Sequence, residues 1–201
     1  FIVIEGIEGS GKSTLIQGLE QSLNAEGREI VRTREPGATA IGTKIRSILL
    51  DSENTKLDPK AELMLFFADR AQHNSEVIRP ALKRGATVIC DRYSFSTLAY
   101  QGYGRGLELE ILEQISSFIN EDLKPSAVLL LDLPPEVGLA RAESWNRFEE
   151  EELNFHSKIR QGFIELSAKS ELNWLLVDAT APAETILAKS LNYLASLSEG
   201  N

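Results

Sequence analysis

Short apolar runs alternate with helical patterns along the whole of this 201-residue chain. Residues 1–4, 30–31, 87–90, 128–131 and 174–177 read as strands. They are short and mostly apolar, which marks strands buried on both faces. Between them apolar residues recur at helical spacing. One set is Leu15, Ile16, Leu19 and Leu23, ended by Gly27; another is Ile41, Ile45, Ile48 and Leu49. A long helix opens at Asp58-Pro59 and carries residues 63–68, Val77 and Ile78. Leu107, Ile111, Leu112, Ile115 and Phe118 line a further helix, and Leu153, Ile159, Phe163 and Leu166 another. Pro135 and Pro182 open the remaining two. Five buried strands separated by helices call for a parallel sheet covered on both sides. No repeat or linker breaks the pattern, so residues 1–201 are expected to form one α/β domain. Ligands of such sheets bind beyond the carboxyl ends of the strands. The loops after strands one to four are therefore where chemistry is sought.

The first of these loops is Gly6-Ile7-Glu8-Gly9-Ser10-Gly11-Lys12-Ser13, followed by Thr14. It matches G-x-x-x-x-G-K-[ST] in full, with a strand before it and a helix after it. Glycines let backbone N–H groups turn inward on phosphates, and the helix N-terminus adds positive potential. ATP is expected along residues 6–14, with Lys12 reaching its β- and γ-phosphates and Ser13 holding Mg²⁺. The fold class that follows is the P-loop NTPase three-layer α/β fold, a five-stranded parallel sheet with helices on both faces. A GTP-driven switch would need an Asp-x-x-Gly turn, and the chain contains no such tetrapeptide. Thr55-Lys56-Leu57-Asp58 imitates a guanine-reading T-K-x-D, but it follows a helix, and Asp58 reads as the cap before Pro59.

The formal net charge is −9, from 21 basic and 30 acidic residues. Nucleic-acid binders carry a basic surplus, so no nucleic-acid partner is expected. No apolar run approaches the roughly 20 residues of a membrane span, so no membrane partner is expected either. The single cysteine, Cys90, ends an apolar run and reads as a buried, inert thiol. One cysteine forms no internal disulfide, which fits a cytoplasmic protein. The chain opens on Phe1 directly into a strand, so no signal peptide is read, and the true N-terminus is expected upstream. His73 and His156 lie within helical patterns and are read as surface or packing residues.

Strand two is followed by Thr33-Arg34-Glu35-Pro36-Gly37-Ala38-Thr39, and strand three by a loop running from Asp91-Arg92-Tyr93 to Gln101. With the P-loop, these segments resemble the thymidylate kinase family. The family's third-strand mark is an apolar pair, Asp-Arg, an aromatic, then Ser and a later Ala-Tyr. Here Ile89-Cys90-Asp91-Arg92-Tyr93, Ser96 and Ala99-Tyr100 fit it. Arg34-Glu35-Pro36-Gly37 and the stretch from Ala61-Glu62 to Phe66-Phe67-Ala68-Asp69-Arg70 fit two further marks. The likeness continues through Gln101-Gly102-Tyr103-Gly104-Arg105-Gly106 and Pro135-Glu136-Val137-Gly138-Leu139.

The resemblance implies ATP-dependent phosphorylation of dTMP to dTDP by a homodimer. It implies that Phe66 stacks on thymine and that Arg70, four residues on and on the same helix face, bonds the base edge. On spacing alone Phe66 reads equally as core, with Phe67 the better core residue, and Arg70 as one half of a surface ion pair. Arg34 and Arg92 resemble the clamp on the acceptor phosphate, a task suited to the planar guanidinium fork. Asp91 stands where such kinases place a Mg²⁺-side carboxylate; read plainly, Asp91-Arg92 is a structural ion pair. Glu8 resembles the acid that approaches the acceptor's sugar and phosphate, or it is a solvated loop acid. Tyr100 resembles the residue crowding the sugar's 2′ position. Ser96, Thr97 and Gln101 lie beside it, and Pro36 resembles a cis proline.

The P-loop holds no arginine between Glu8 and Ser10, so the resemblance places the catalytic arginine in a short mobile lid at about residues 141–148. Arg141 and Arg147 are the basic residues there. Asn146-Arg147-Phe148-Glu149 stands at the family's Asp-Arg-aromatic-Glu mark, but the segment before it is shorter than a family lid. Residues are therefore expected to be missing between Arg141 and Arg147. A Cα step beyond the roughly 3.8 Å of a trans peptide is expected there. Two other readings remain beside this one, a deoxynucleoside kinase and a nucleotide-binding ATPase or switch without a small acceptor.

Overall fold

The computed structural model describes residues 1–141 and 146–199. Five strands form one parallel sheet: β1 (Ile2–Glu5), β2 (Ile30–Arg34), β3 (Thr87–Asp91), β4 (Ala127–Asp132) and β5 (Trp174–Asp178), in the order β2-β3-β1-β4-β5. β1 lies at the centre, with β3 on one side and β4 on the other, so the chain order reverses at its carboxyl end. The register pairs Ile4 with both Asp91 and Leu129, and Arg34 with Asp91. Glu5, Arg34, Asp91 and Asp132 thus finish along one edge of the sheet.

Successive residues of β1 point to opposite faces. Ile2 and Ile4 join one core layer with Leu15, Ile16 and Leu19 of α1 (Lys12–Ala25) and Ile159 and Phe163 of α8 (Leu153–Lys169). Val3 joins the other with Val88, Cys90 and Val128, covered by Ile78 and Ala81. α1 ends at Gly27, whose φ of 81° lets the Arg28 N–H reach the Leu23 carbonyl. Asp58 caps α3 (Pro59–His73) by accepting the Lys60 N–H at 2.8 Å, as its place before Pro59 predicts. A π-helical segment, Asn74–Ile78, then joins α3 to α4 (Arg79–Lys83). Thr39 caps α2 (Ala40–Leu50) through the Gly42 N–H. The remaining helices are α5 (Ser94–Thr97), α6 (Leu109–Asn120), α7 (Pro135–Arg141) and α9 (Ala183–Glu199). None of the described helices is long and apolar enough to cross a membrane.

The structure corrects three expectations. The segment after β3 is not a loop: from Ser94 it is helical, first α5, then a π-helical run Leu98–Gly104. Buried Glu5 explains this, because its carboxylate accepts the Tyr93 and Ser96 N–H groups and caps the turn. Second, apolar periodicity overstates burial on the outer helices. Ile111 and Phe118 of α6 are 48% and 82% exposed, and Ile41, Ile48 and Leu153 are exposed as well. Third, of the two readings given for His73 and His156, the surface one falls: both are fully buried, and both face carboxylates. The expected break between Arg141 and Arg147, and with it the middle of the lid, falls on residues 142–145 and lies outside the described residues.

Candidate active site

The strand-ending loops converge where β1 meets β3. Gly11 opens α1 at a φ of 88°, a conformation that favours glycine, and starts the helix directly behind the loop. The Lys12 ammonium folds back over the loop and donates to the Gly6 and Ile7 carbonyls at 3.0 and 2.9 Å. Burial, then the Arg92 charge, lowers its pKa to about 8, against the pull of Asp91 and Glu8. α7 packs directly on this loop: a Cβ on Gly9 would strike the Gly138 carbonyl, and one on Gly138 the Glu8 carbonyl.

Arg92 crosses from β3 to the P-loop. Its φ of 66° is unusual for a side-chain-bearing residue, and the Glu5 cap holds the turn that imposes it. Nη1 donates to the Gly6 carbonyl at 2.9 Å and to Ser96 Oγ at 3.3 Å; Nη2 donates to Glu8 Oε1 at 3.0 Å. Its partner is therefore Glu8, not Asp91. Glu8 is no solvated loop acid, being largely buried beneath Arg92 and the Tyr100 hydroxyl, which also donates to Oε1. Burial alone would raise the Glu8 pKa. Arg92 foremost, then His156, Lys12 and Tyr100, outweigh it and bring the value to about 2. Burial likewise pushes Glu5 up to about 7, against Ser96 and Arg92.

Beyond Arg92 opens a cleft whose walls carry both charged and aromatic side chains. It is lined by Glu8, Pro36, Phe66, Arg70, Arg92, Ser96, Thr97, Tyr100 and Gln101, which the sequence had scattered over 94 positions. Arg34 is the acceptor candidate that does not line it. Arg34 faces a neighbouring recess with Ser13 and Asp91. The Glu35-Pro36 peptide is cis. Arg70 is 1% exposed and lies at the cleft floor. Its Nε donates to Glu35 Oε2 and one Nη to Thr97 Oγ1, both at 2.8 Å, while Nη1 has no partner among the described residues. His73 holds the other oxygen of Glu35 at 2.9 Å and meets Thr33 Oγ1 at 2.7 Å. Arg70 is thus a buried, oriented donor, not half of a surface pair.

The model of the family described as thymidylate kinase matches residues 4–189. The chain belongs to the thymidylate kinase family. It is 47% identical over 195 residues to the thymidylate kinase of Syntrophotalea carbinolica, covering 92% of this chain and 90% of that one. It is 46% identical over 197 residues to that of Desulfovibrio desulfuricans, with 93% and 91% covered, and 45% identical over 192 residues to that of Deinococcus radiodurans, with 94% and 93% covered.

The two lid arginines both take their hydrogen-bond partners from outside the P-loop. Arg147 is buried: it donates to Glu62 Oε2 at 2.6 Å and twice to the Leu49 carbonyl. Glu62 also accepts from Arg105 and Gln101, so Arg147 is locked into a structural network. Arg141, at the end of α7, donates to the Ala179 carbonyl at 3.0 Å. Seven residues that line the cleft were given no site role from the sequence: Glu35, Arg46, Leu50, Tyr93, Asn146, Phe148 and Glu149. Arg46 of α2 reaches the Pro36 carbonyl at 2.8 Å and lines the cleft. Burial lowers its pKa, and so do the nearby charges of Arg34 and Arg92. Asn146, Phe148 and Glu149 close the opposite wall, with Phe148 6.1 Å from Phe66 and 5.8 Å from Tyr100. Asn146, Phe148 and Glu149 all stood in the quoted family mark, which was the available signal; Arg46 offered none.

Proposed function

We propose that this chain transfers the γ-phosphoryl group of ATP to the 5′-phosphate of dTMP, giving dTDP and ADP, in the cleft between Arg92 and Phe66. The observation that carries this reading is the gathering of Arg34, Arg46 and Arg92, near enough for their charges to act on one another, in a protein of net charge −9. Like charges gather where an anion is to be held. An uncharged deoxynucleoside acceptor needs no such clamp, and a switch needs no acceptor cleft. The thymine ring lies on Phe66, and the Arg70 Nη1 donor meets its polar edge, with Thr97 and Gln101 fixing Arg70 and the cleft floor. Tyr100, held by its bond to Glu8, fills the space a 2′-hydroxyl would need.

A dTMP phosphate oxygen attacks Pγ as the bond to the bridging oxygen breaks and ADP departs. A phosphate monoester with its second pKa near ~6 is ionised at neutral pH, so no general base is required. Lys12 and Arg92 stabilise the charge spread over the moving group. Asp91 Oδ1 is buried without a hydrogen-bond partner among the described residues and shares its recess with Ser13. The described residues hold no cluster of three metal-ligating side chains. That sparse donor set fits Mg²⁺, which takes one or two protein oxygens together with phosphates and water. When bound, Mg²⁺ would offset charge on the ATP phosphates. Of the lid arginines, Arg141 is retained as the mobile cation, because α7 rides on the P-loop and Arg147 is anchored to Glu62. The reading also makes the protein a cytoplasmic homodimer. Its support is the single cysteine, the buried Cys90, which can form no internal disulfide, and the apolar Ile111 and Phe118 exposed on α6, which packs beside α3 and its exposed Met64.

The test is ADP release from ATP-Mg²⁺ with thymidine, dTMP, dUMP, dCMP, dAMP, the ribose analogue of dTMP, or no acceptor. dTMP is expected to give the highest kcat/KM. Equal release without an acceptor, or with thymidine, would contradict the reading; equal rates on the ribose analogue would remove the role given to Tyr100.

A further inference from the structure

His156 of α8 ends against the P-loop. It is 0% exposed, and its Nδ1 stands 3.5 Å from Glu8 Oε2. Among the described residues neither ring nitrogen has a hydrogen-bond partner, and neither does Glu8 Oε2. Buried polar atoms are nearly always paired, so two orphans facing each other, His156 Nδ1 and Glu8 Oε2, call for an explanation. Packing does not supply one, since an apolar side chain would fill this helix position without orphaned nitrogens. Glu8 Oε1 is already occupied by Arg92 Nη2 and the Tyr100 hydroxyl. The Glu8 carboxylate is ionised and offers only acceptors. The imidazole nitrogen that faces it is therefore the one that carries hydrogen.

We propose that His156 is a positioning residue for Glu8: its Nδ1–H holds Glu8 Oε2, so that the carboxylate plane is fixed at both oxygens and the remaining lone pair meets the 3′-hydroxyl of the acceptor. The inference rests on the acceptor reading above. dTMP has one free sugar hydroxyl, and Glu8 is the ionised acceptor on that side of the cleft beside Tyr100. Arg92 and Tyr100 pin only Oε1. Without His156, Oε2 is free to swing away from the sugar.

The experiment measures steady-state kinetics of the wild type, His156→Leu, His156→Asn and His156→Gln, each with dTMP and with its 3′-deoxy analogue, alongside the melting temperature. The asparagine amide nitrogen stands where Nδ1 stood; the glutamine amide is one bond further out. His156→Leu is expected to raise KM for dTMP about tenfold, with kcat changed less than about threefold and KM for ATP unchanged. With the 3′-deoxy analogue the same substitution should cost less than about twofold, and His156→Asn should restore most of the dTMP affinity. Equal losses on both acceptors, asparagine as damaging as leucine, or an unchanged KM would overturn the proposal. If the leucine variant does not fold, the asparagine–glutamine pair decides. Asparagine should keep the wild-type preference for dTMP over the 3′-deoxy analogue and glutamine should lose it; the same preference in both overturns the proposal. Wild-type turnover of dTMP separates the two levels. Its absence removes the acceptor reading and this inference with it, whereas normal turnover with unaffected variants removes His156 alone.

Discussion

Arg92, the proposed clamp on the acceptor phosphate, is held in place from several sides at once. Its backbone is held at positive φ by the Glu5 cap, its Nη1 is fixed on the P-loop carbonyl of Gly6, and its Nη2 on Glu8. The guanidinium also lies 4.9 Å from the centre of the Tyr100 ring. Several parallel N–H directions are needed at once, and an ammonium has no planar fork to supply them. Arg92→Lys is therefore expected to lower kcat/KM for dTMP by more than about tenfold, or roughly 1.4 kcal/mol, while ATP affinity stays near normal. Steady-state kinetics with a separate ATP-binding titration measure this. A smaller loss would show that Arg92 is not the clamp. Residue by residue, legibility followed locality. Lys12 and Ser13 sit in an eight-residue pattern that carries its own geometry, and Phe66 and Arg70 share a helix face by spacing alone. His73, His156 and Arg46 had no local signature. Glu35, Glu8 and the Pro36 carbonyl that hold them lie ten or more residues away.

At the scale of elements, the cleft depends on how α3 is tied to the turn between β2 and α2. Asp69 of α3 accepts the Gly37 N–H at 3.0 Å and stands against Gly42. Burial first, then the charge of Glu35, pushes its pKa up to about 6, against the Gly37 N–H and His73. A carboxyl whose folded pKa exceeds its unfolded value near ~3.9 contributes stability fully below that value. The contribution is lost as the pH rises through about 6. Asp69→Asn keeps the acceptor for Gly37 and remains uncharged. The melting temperature of the variant relative to wild type should therefore rise between about pH 5 and pH 8. A difference that is flat or falls over that range would show that Asp69 is not held uncharged by its surroundings. The β–α alternation was legible because both periods are local. The helix after β3 was not, because its cap is Glu5, on another strand. Arg147 was placed in the lid by its neighbours in sequence, but Glu62, 85 positions earlier, captures it. The exposed face of α6 shows the same limit: periodicity finds an apolar face without saying what covers it.

For the whole molecule, the site follows from where the strand order of the sheet reverses. β1 delivers the P-loop, β3 delivers Asp91 and Arg92, and β2 ends at Arg34 beside them, all at one edge of the sheet. α3 and the π-helical run Leu98–Gly104 then bring Phe66, Arg70 and Tyr100 around the same opening. On the proposed reading, this arrangement would set the acceptor phosphate in line with a donor held over Lys12, and alignment with charge stabilisation is most of what phosphoryl transfer requires. The most direct measurement is a crystal structure with dTMP bound. The expected result places the phosphate within hydrogen-bond distance of Arg92 and at least one of Arg34 and Arg46, the thymine ring against Phe66, and Arg70 Nη1 on the base edge. A dTMP molecule seated elsewhere, or one whose base points toward Arg92 and whose phosphate points toward Arg70, would contradict it.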